Sequence, residues 1–257
     1  MGKIIAIANQ KGGVGKTTTC INLAASLVAH HRRVLLVDID PQGNATMGSG
    51  VDKSELAFSI NEILLDDLDI HQALLGTQAG YDLVPANDDL TFAELNLMQM
   101  SRKEYRLSHA LAKVRCSYDY ILIDCPPSVN MLTINAMAAA NGVVVPMQCE
   151  YYSLEGLTGL IKVIDKLRSN LNPKLELIGL LRTMYDARNN LTNEVSEQLF
   201  KHFGAKVYQT VIPRNVRLAE APSYGMPALL YDKRSQGAQA YLELAGELLK
   251  QQEAVST

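Results

Sequence analysis

A glycine-rich run ending in Lys-Thr, set between an apolar strand and a helix, constrains this chain more than any other feature. The run is Asn9-Gln10-Lys11-Gly12-Gly13-Val14-Gly15-Lys16-Thr17-Thr18. Ahead of it, Lys3-Ile4-Ile5-Ala6-Ile7-Ala8 reads as a short buried parallel strand, and apolar periodicity after it predicts a helix from about Thr17 to Ala29. Gly12, Gly13 and Gly15 can take backbone angles that other residues avoid. Successive N–H groups can therefore turn inward and, with the helix N-terminus, form a nest for an anion.

Lys16 is placed to reach the β- and γ-phosphates of a bound triphosphate, and the Thr17 hydroxyl to ligate magnesium. The loop from Gly12 through Val14 and Gly15 to Thr18 supplies the cradle, although Gln10 stands where the general phosphate-loop pattern has its first glycine. Lys11 has no place in that cradle. It is either a solvated loop lysine or a cation pointing out of the nest that serves the phosphates of a neighbouring subunit, as arginine fingers do in trans.

Two further apolar runs end in carboxylates. Arg33-Val34-Leu35-Leu36-Val37 leads into Asp38-Ile39-Asp40, where Pro41 and Gly43 turn the chain, and Asp38 and Asp40 alternate with Ile39 so that both can lie on one face. Residues at the carboxyl end of a parallel strand face the ligand crevice. Tyr120-Ile121-Leu122-Ile123 ends in Asp124, the pattern of a magnesium ligand acting through water, and Pro126-Pro127 then fixes a rigid turn. Val143 to Tyr151 reads as a strand leading into a helix from about Ser153. Leu175 to Thr183 and Val207 to Ile212 read as two more strands, the last running into Pro213-Arg214-Asn215-Val216-Arg217. Six or more strands alternating with helices predict an α/β fold, a doubly wound, mostly parallel sheet with helices on both faces. The signatures Thr91-x-x-Glu94 and Ser101-x-x-Glu104 predict capping boxes on two helices before the Asp124 strand, the second with Leu107, Leu111 and Val114 as its core stripe.

With these residues the chain resembles, over essentially its whole length, the ParA/Soj group of the deviant Walker A ATPases, which also holds MinD and the nitrogenase iron protein. Lys11 matches the first lysine of the group's K-G-G-x-G-K-[ST] motif, which crosses a face-to-face dimer to touch the partner's nucleotide. The D-x-D-P-Q-G segment implies that Asp40 positions or polarises the attacking water and that Asp38 supports the magnesium and the first switch region. The double-proline segment corresponds to a second switch that senses the γ-phosphate. Glu150 and Tyr151 fall in a loop that lies at the group's dimer face, with a plain role in starting the next helix equally open. Pro213, Arg214 and Asn215 fall where the group faces adenine. The resemblance implies slow ATP hydrolysis with Mg2+, in which Lys11, Lys16 and Asp40 are catalytic. It further implies an ATP-bound homodimer that binds double-stranded DNA without sequence preference. A centromere-binding partner of the ParB/Spo0J type would stimulate hydrolysis and release, serving chromosome or plasmid segregation.

Length and composition agree. The 257 residues are 47% apolar, enough for a sizeable core, and no Gly/Ser/Pro-rich linker divides them, so we expect one domain over 1–257. No apolar run approaches the roughly 18 residues that span a bilayer. With the first strand at Lys3 we expect no secretory signal and no N-terminal helix-turn-helix, hence a cytoplasmic, nucleoid-associated protein. Cys20, Cys116, Cys125 and Cys149 have neither C-x-x-C nor zinc spacing and suit reduced thiols. The net charge of −3 hides an asymmetry: residues 44–100 carry −9, the remainder +6, and residues 182–234 carry +3. The group binds DNA through a basic C-terminal surface, and Asp186-Ala187-Arg188-Asn189 matches a segment in which an arginine does so. Arg188 is the first candidate, followed by Arg217, Lys233 and Arg234.

Three other classes share this nucleotide motif. A MinD-like membrane-positioning ATPase ends in a basic amphipathic helix. Here Lys250 is set against Glu243, Glu247 and Glu253, while Tyr241, Leu244, Leu248 and Leu249 read as a core stripe, so no membrane contact is expected. A cluster carrier needs paired cysteines at a dimer face, and Cys125 has no obvious mate. A small-molecule P-loop enzyme would turn over ATP only with a metabolite.

Overall fold

The structure is a computed structural model that describes residues 2–256, with side chains given through residue 251. Met1, Thr257 and the side chain of Glu253 lie outside the described residues. Eight strands form one sheet: β1 (Lys3–Ile7), β2 (Val34–Asp38), β3 (Leu75–Gly76), β4 (Asp82–Val84), β5 (Tyr120–Asp124), β6 (Gly142–Gln148), β7 (Glu176–Tyr185) and β8 (Val207–Pro213). Their order is β3-β4-β2-β5-β1-β6-β7-β8, parallel throughout except for the β3–β4 pair. The chain winds to one side of β1 through β2, β4 and β5 and to the other through β6, β7 and β8. This reversal opens a crevice above the carboxyl end of β1.

Among the described residues eleven α-helices accompany the strands: α1 (Lys16–Ala29), α2 (Asn44–Gly48), α3 (Ile60–Leu65), α4 (Leu90–Leu97), α5 (Arg106–Val114), α6 (Met131–Ala139), α7 (Ser153–Asn170), α8 (Asn190–Phe203) and, after β8, α9 (Val216–Glu220), α10 (Ala228–Tyr231) and α11 (Gln236–Ser256). Successive strand residues feed opposite faces. Ile4, Ala6 and Ala8 pack into a core with α3 to α8, whereas Ile5 and Ile7 join one with α1, α2 and α9 to α11. A strand buried on both sides needs no polar alternation, which is why each central strand reads as an unbroken apolar run. Leu107, Leu111 and Val114 are buried as expected. The stripe of Tyr241, Leu244 and Leu248 on α11 is also buried, and Tyr241 shares a 3.0 Å hydrogen bond with Thr19.

The two expected capping boxes do not form. The N-cap of α4 is Asp89, and no side chain caps it. Glu94 instead accepts from Asn130 Nδ2 at 3.0 Å and from the Met131 N–H at 3.3 Å, so it caps a different helix, α6. Ser101 to Glu104 leads into a short 3-10 turn, Lys103–Tyr105, and α5 starts only at Arg106. A complete box does form between Ser59 and Glu62 at the head of α3, where the Ser59 N–H donates to Glu62 at 2.7 Å. Strand β7 also runs two residues beyond its expected end at Thr183, which carries Met184 to the edge of the crevice.

Candidate nucleotide site

The phosphate loop leaves β1 and ends at Gly15, the N-cap of α1. Gly13 (φ 71°) and Gly15 (φ 88°) occupy the left-handed region that favours glycine. A Cβ added at Gly12 or Gly13 would meet no protein atom within 4 Å, so the loop borders open space rather than packed protein. No side chain caps α1, which leaves its first N–H groups to a ligand. Outer carbonyls of the loop are tied back. Thr183 Oγ1 donates to the Val14 carbonyl at 2.8 Å, and Gln148 Nε2 donates to that of Gly13 at 3.4 Å.

The two lysines part company. Lys16 is buried and its ammonium curls under the loop, donating to the Lys11 carbonyl at 3.4 Å. Lys11 points outward, and its ammonium pairs with Glu150 at 2.5 Å at the start of the turn before α7. Beside this pair, Tyr151 and Tyr152 stand exposed in an edge-to-face contact with ring centroids 5.3 Å apart.

Three aspartates line the crevice. Both oxygens of Asp38 are engaged: Oδ1 accepts from the Asp40 N–H at 3.2 Å, and Oδ2 accepts from the N–H and hydroxyl of Thr46, each at 2.8 Å. Asp38 thus fixes the loop carrying Asp40 and the start of α2. Burial pushes its carboxyl up to about 6, against the pull of the Thr46 hydrogen bonds. Asp40 is buried at the crevice edge, its Oδ1 accepting from the Gln42 N–H at 3.0 Å. Asp124 is wholly buried, and among the described residues its Oδ2 has no hydrogen-bond partner. Burial and then the nearby Asp38 charge push its carboxyl up to about 8, opposed in part by the Thr17 hydroxyl and the Cys20 thiol. A buried carboxylate with an open oxygen beside Thr17 fits a magnesium ion. Among the described residues no three His, Cys, Asp or Glu side chains form a metal cage, so such an ion would complete its shell with phosphate and water oxygens.

A cleft of about 180 Å³ adjoins the loop at Gly15 and Thr18 and is lined by Pro213, Arg214 and Asn215. The structure therefore gathers the expected base-facing residues next to the phosphate nest. Thr183, Met184 and Tyr241 also line this cleft and carry no sequence signal. Met184 adopts a left-handed φ of 49°, uncommon for an unbranched apolar residue and a hint of local strain where the strand meets the cleft.

A family profile described as an AAA domain matches residues 2–177. The sporulation initiation inhibitor protein Soj of Bacillus subtilis is 53% identical over 249 residues, covering 96% of this chain and 98% of Soj. The chromosome partitioning protein ParA of Caulobacter vibrioides is 50% identical, covering 97% and 95%. The chain belongs to the ParA/Soj family. Solved structures agree with the fold of this ParA/Soj protein. Cobyrinic acid a,c-diamide synthase from Mycobacterium smegmatis, with bound ADP and magnesium, superposes with a TM-score of 0.87 at 39% identity, covering 98% of this chain and 96% of that one. The cell division ATPase MinD of Pyrococcus furiosus superposes at 0.80 with 27% identity, covering 97% and 99%.

The basic candidates of this ParA/Soj protein fall on the loop after β7, on α9 and on the loop before α11. Arg188 is 90% exposed and held in a fork by Asp186, with hydrogen bonds of 2.8 and 2.7 Å. Arg214 lies close enough to lower the Asp186 carboxyl along with Arg188. Arg217 bridges to Glu220 at 2.7 Å and to Asp232 at 3.3 Å, which brings α9 beside the loop carrying Lys233 and Arg234. One counted base drops out. Arg182 is buried, donating to Ser196 and to the carbonyls of Tyr208 and Gln209, and is unavailable to any surface ligand.

Proposed function

We propose that this ATPase of the partitioning family is an ATP-dependent dimerising switch for chromosome or plasmid segregation. The observation that carries the reading is the outward course of Lys11. It lies at the lip of an otherwise complete phosphate nest, held by an exposed carboxylate instead of serving its own site. A cation so placed serves a second subunit's phosphates. ATP occupies Gly12 to Thr18 with its base in the cleft at Pro213, Arg214 and Asn215. Thr17 and Asp124 hold Mg2+, which offsets charge on the β- and γ-phosphates. Asp40 holds the attacking water, and Asp38 fixes the Asp40 loop through the Asp40 N–H and Thr46. Two copies close face to face with Lys11, Glu150 and Tyr151 at the contact, and their combined basic surfaces hold duplex DNA non-specifically. Hydrolysis, accelerated by a ParB/Spo0J-type protein, parts the copies and releases the DNA.

A MinD-like membrane role is disfavoured because α11 commits its apolar stripe to the core, and no described helix is long and apolar enough to cross a membrane. A cluster carrier is disfavoured because Cys125 is fully buried. The deciding experiment is binding of the Asp40→Ala protein to random-sequence duplex DNA with ATP or ADP across a salt series. We expect tight binding with ATP alone, falling with salt at a log–log slope near −5 if about six phosphates are engaged per dimer. Indifference to DNA in both states, with ATP turnover that depends on a metabolite, would return the small-molecule enzyme reading.

A further inference from the structure

Helix α4 is apolar on both sides. Leu90, Ala93 and Leu97 point into the core, yet Phe92 (69% exposed), Leu95 (62%) and Met98 (53%) form a ridge on the outside. Such a helix face is ordinarily covered. Val129, 40% exposed, lies in the segment joined to α4 through Glu94, which binds Asn130 and the Met131 N–H.

The ridge has a defined place. α4 follows the carboxyl end of β4, and Val129 follows that of β5. Lys11, Asp40 and Glu150 follow the carboxyl ends of β1, β2 and β6, and the parallel sheet puts all of these on one edge. The ridge therefore continues the face on which Lys11 stands. It also carries charge of opposite sign at its two ends. Asp88 and Asp89 precede the helix, while Arg102 and Lys103 follow it, Lys103 reaching back to the Met98 carbonyl at 2.9 Å.

We propose that the α4 ridge is a self-association surface, on which the α4 of a second copy of this chain packs antiparallel about a two-fold axis. Antiparallel packing sets the Asp88–Asp89 end of each copy against the Arg102–Lys103 end of the other. It also opposes the two helix dipoles and buries Phe92, Leu95 and Met98 against their equivalents. An isologous contact requires such self-complementarity, and a foreign partner would not. The proposal rests on the dimer reading above and extends that interface from the lysine to α4.

The position also explains how nucleotide would govern the contact. Lys53 ties Asp88 at 2.6 Å to the Gln42 carbonyl at 3.1 Å, within the turn that carries Asp40. Glu94 ties the middle of α4 to the segment that follows Asp124. Order imposed on these two loops by ATP is passed to the ridge, and packing of the ridge steadies both loops in return.

The test is sedimentation velocity of the full chain with a non-hydrolysable ATP analogue, comparing the parent with Leu95→Glu. Leu95 is exposed, so the variant should keep its melting temperature and its monomer affinity for the analogue. We expect its dimer dissociation constant to rise at least tenfold. Asp89→Arg should weaken the dimer similarly, and adding Arg102→Asp to it should restore most of the loss. Unchanged dimerisation of Leu95→Glu, or a charge reversal that its counterpart does not rescue, would overturn the surface. So would a Leu95→Glu protein that dimerises normally and loses only stimulation by a ParB/Spo0J-type protein, since the ridge would then serve that protein. A parent that stays monomeric with the analogue would instead sink the dimer reading itself, and the proposal with it.

Discussion

The Lys11–Glu150 pair makes a quantitative prediction. In the single chain the two side chains are 45% and 51% exposed, so their 2.5 Å contact is a surface ion pair despite its length. Exposed pairs contribute about 0.2–1 kcal/mol. If Lys11 must leave Glu150 to reach the other subunit's phosphates, each dimer gives up two such pairs, or about 0.4–2 kcal/mol. At 1.4 kcal/mol per tenfold, Glu150→Gln should tighten the ATP-bound dimer by a factor between about 2 and 25. Salt screens exposed pairs, so the advantage should shrink as ionic strength rises. The assay is the concentration dependence of the dimer by sedimentation, with a non-hydrolysable analogue at three salt concentrations. A Glu150→Gln dimer weaker than the parent's would refute the reasoning, because Glu150 would then be worth more in the dimer than in the single chain. A gain beyond a hundredfold would refute it too, since no half-exposed pair is that strong.

Three more outcomes are expected. Lys16→Ala should lose ATP binding in a fluorescent-nucleotide titration, whereas Lys11→Ala should bind ATP as the parent does and sediment as a monomer; loss of binding in both would remove the trans role of Lys11. Arg188→Ala should lower the salt slope of DNA binding by about two for a dimer, one released counterion per copy, and leave ATP binding unchanged. An unaltered slope would take Arg188 off the DNA surface. Asp38→Ala strips Thr46 of the acceptor for both its N–H and its hydroxyl; we expect a loss of about 1–3 kcal/mol in denaturant unfolding together with a lower turnover number, and an enzyme of parental rate would show that the Asp40 loop needs no such anchor.

Much of the nucleotide site was legible because its chemistry is local. A glycine loop between strand and helix, and carboxylates at strand ends, report themselves within a few residues of sequence. The capping boxes at Thr91 and Ser101 misled for a related reason. A Ser or Thr three residues before a Glu permits the box, but Glu94 found the N-terminus of α6, a partner 36 residues away that no local window contains. The charge count misled likewise at Arg182, whose burial is set by α8 and β8 packing over it.

What the sequence determined by itself was six of the eight strands, the nest and the order of the acids, since periodicity and backbone permissiveness are properties of neighbouring residues; β3 and β4, two and three residues long, carry too little periodicity to be read. Only the tertiary structure decided which way each side chain was spent. It sent Lys11 outward to Glu150, engaged both Asp38 oxygens while leaving an Asp124 oxygen open, and drew Thr183, Met184 and Tyr241 to the cleft beside the nest from two distant segments. It left the outer face of α4 uncovered. These outcomes depend on contacts between elements far apart in the chain, where packing geometry chooses among partners that local sequence leaves equally available.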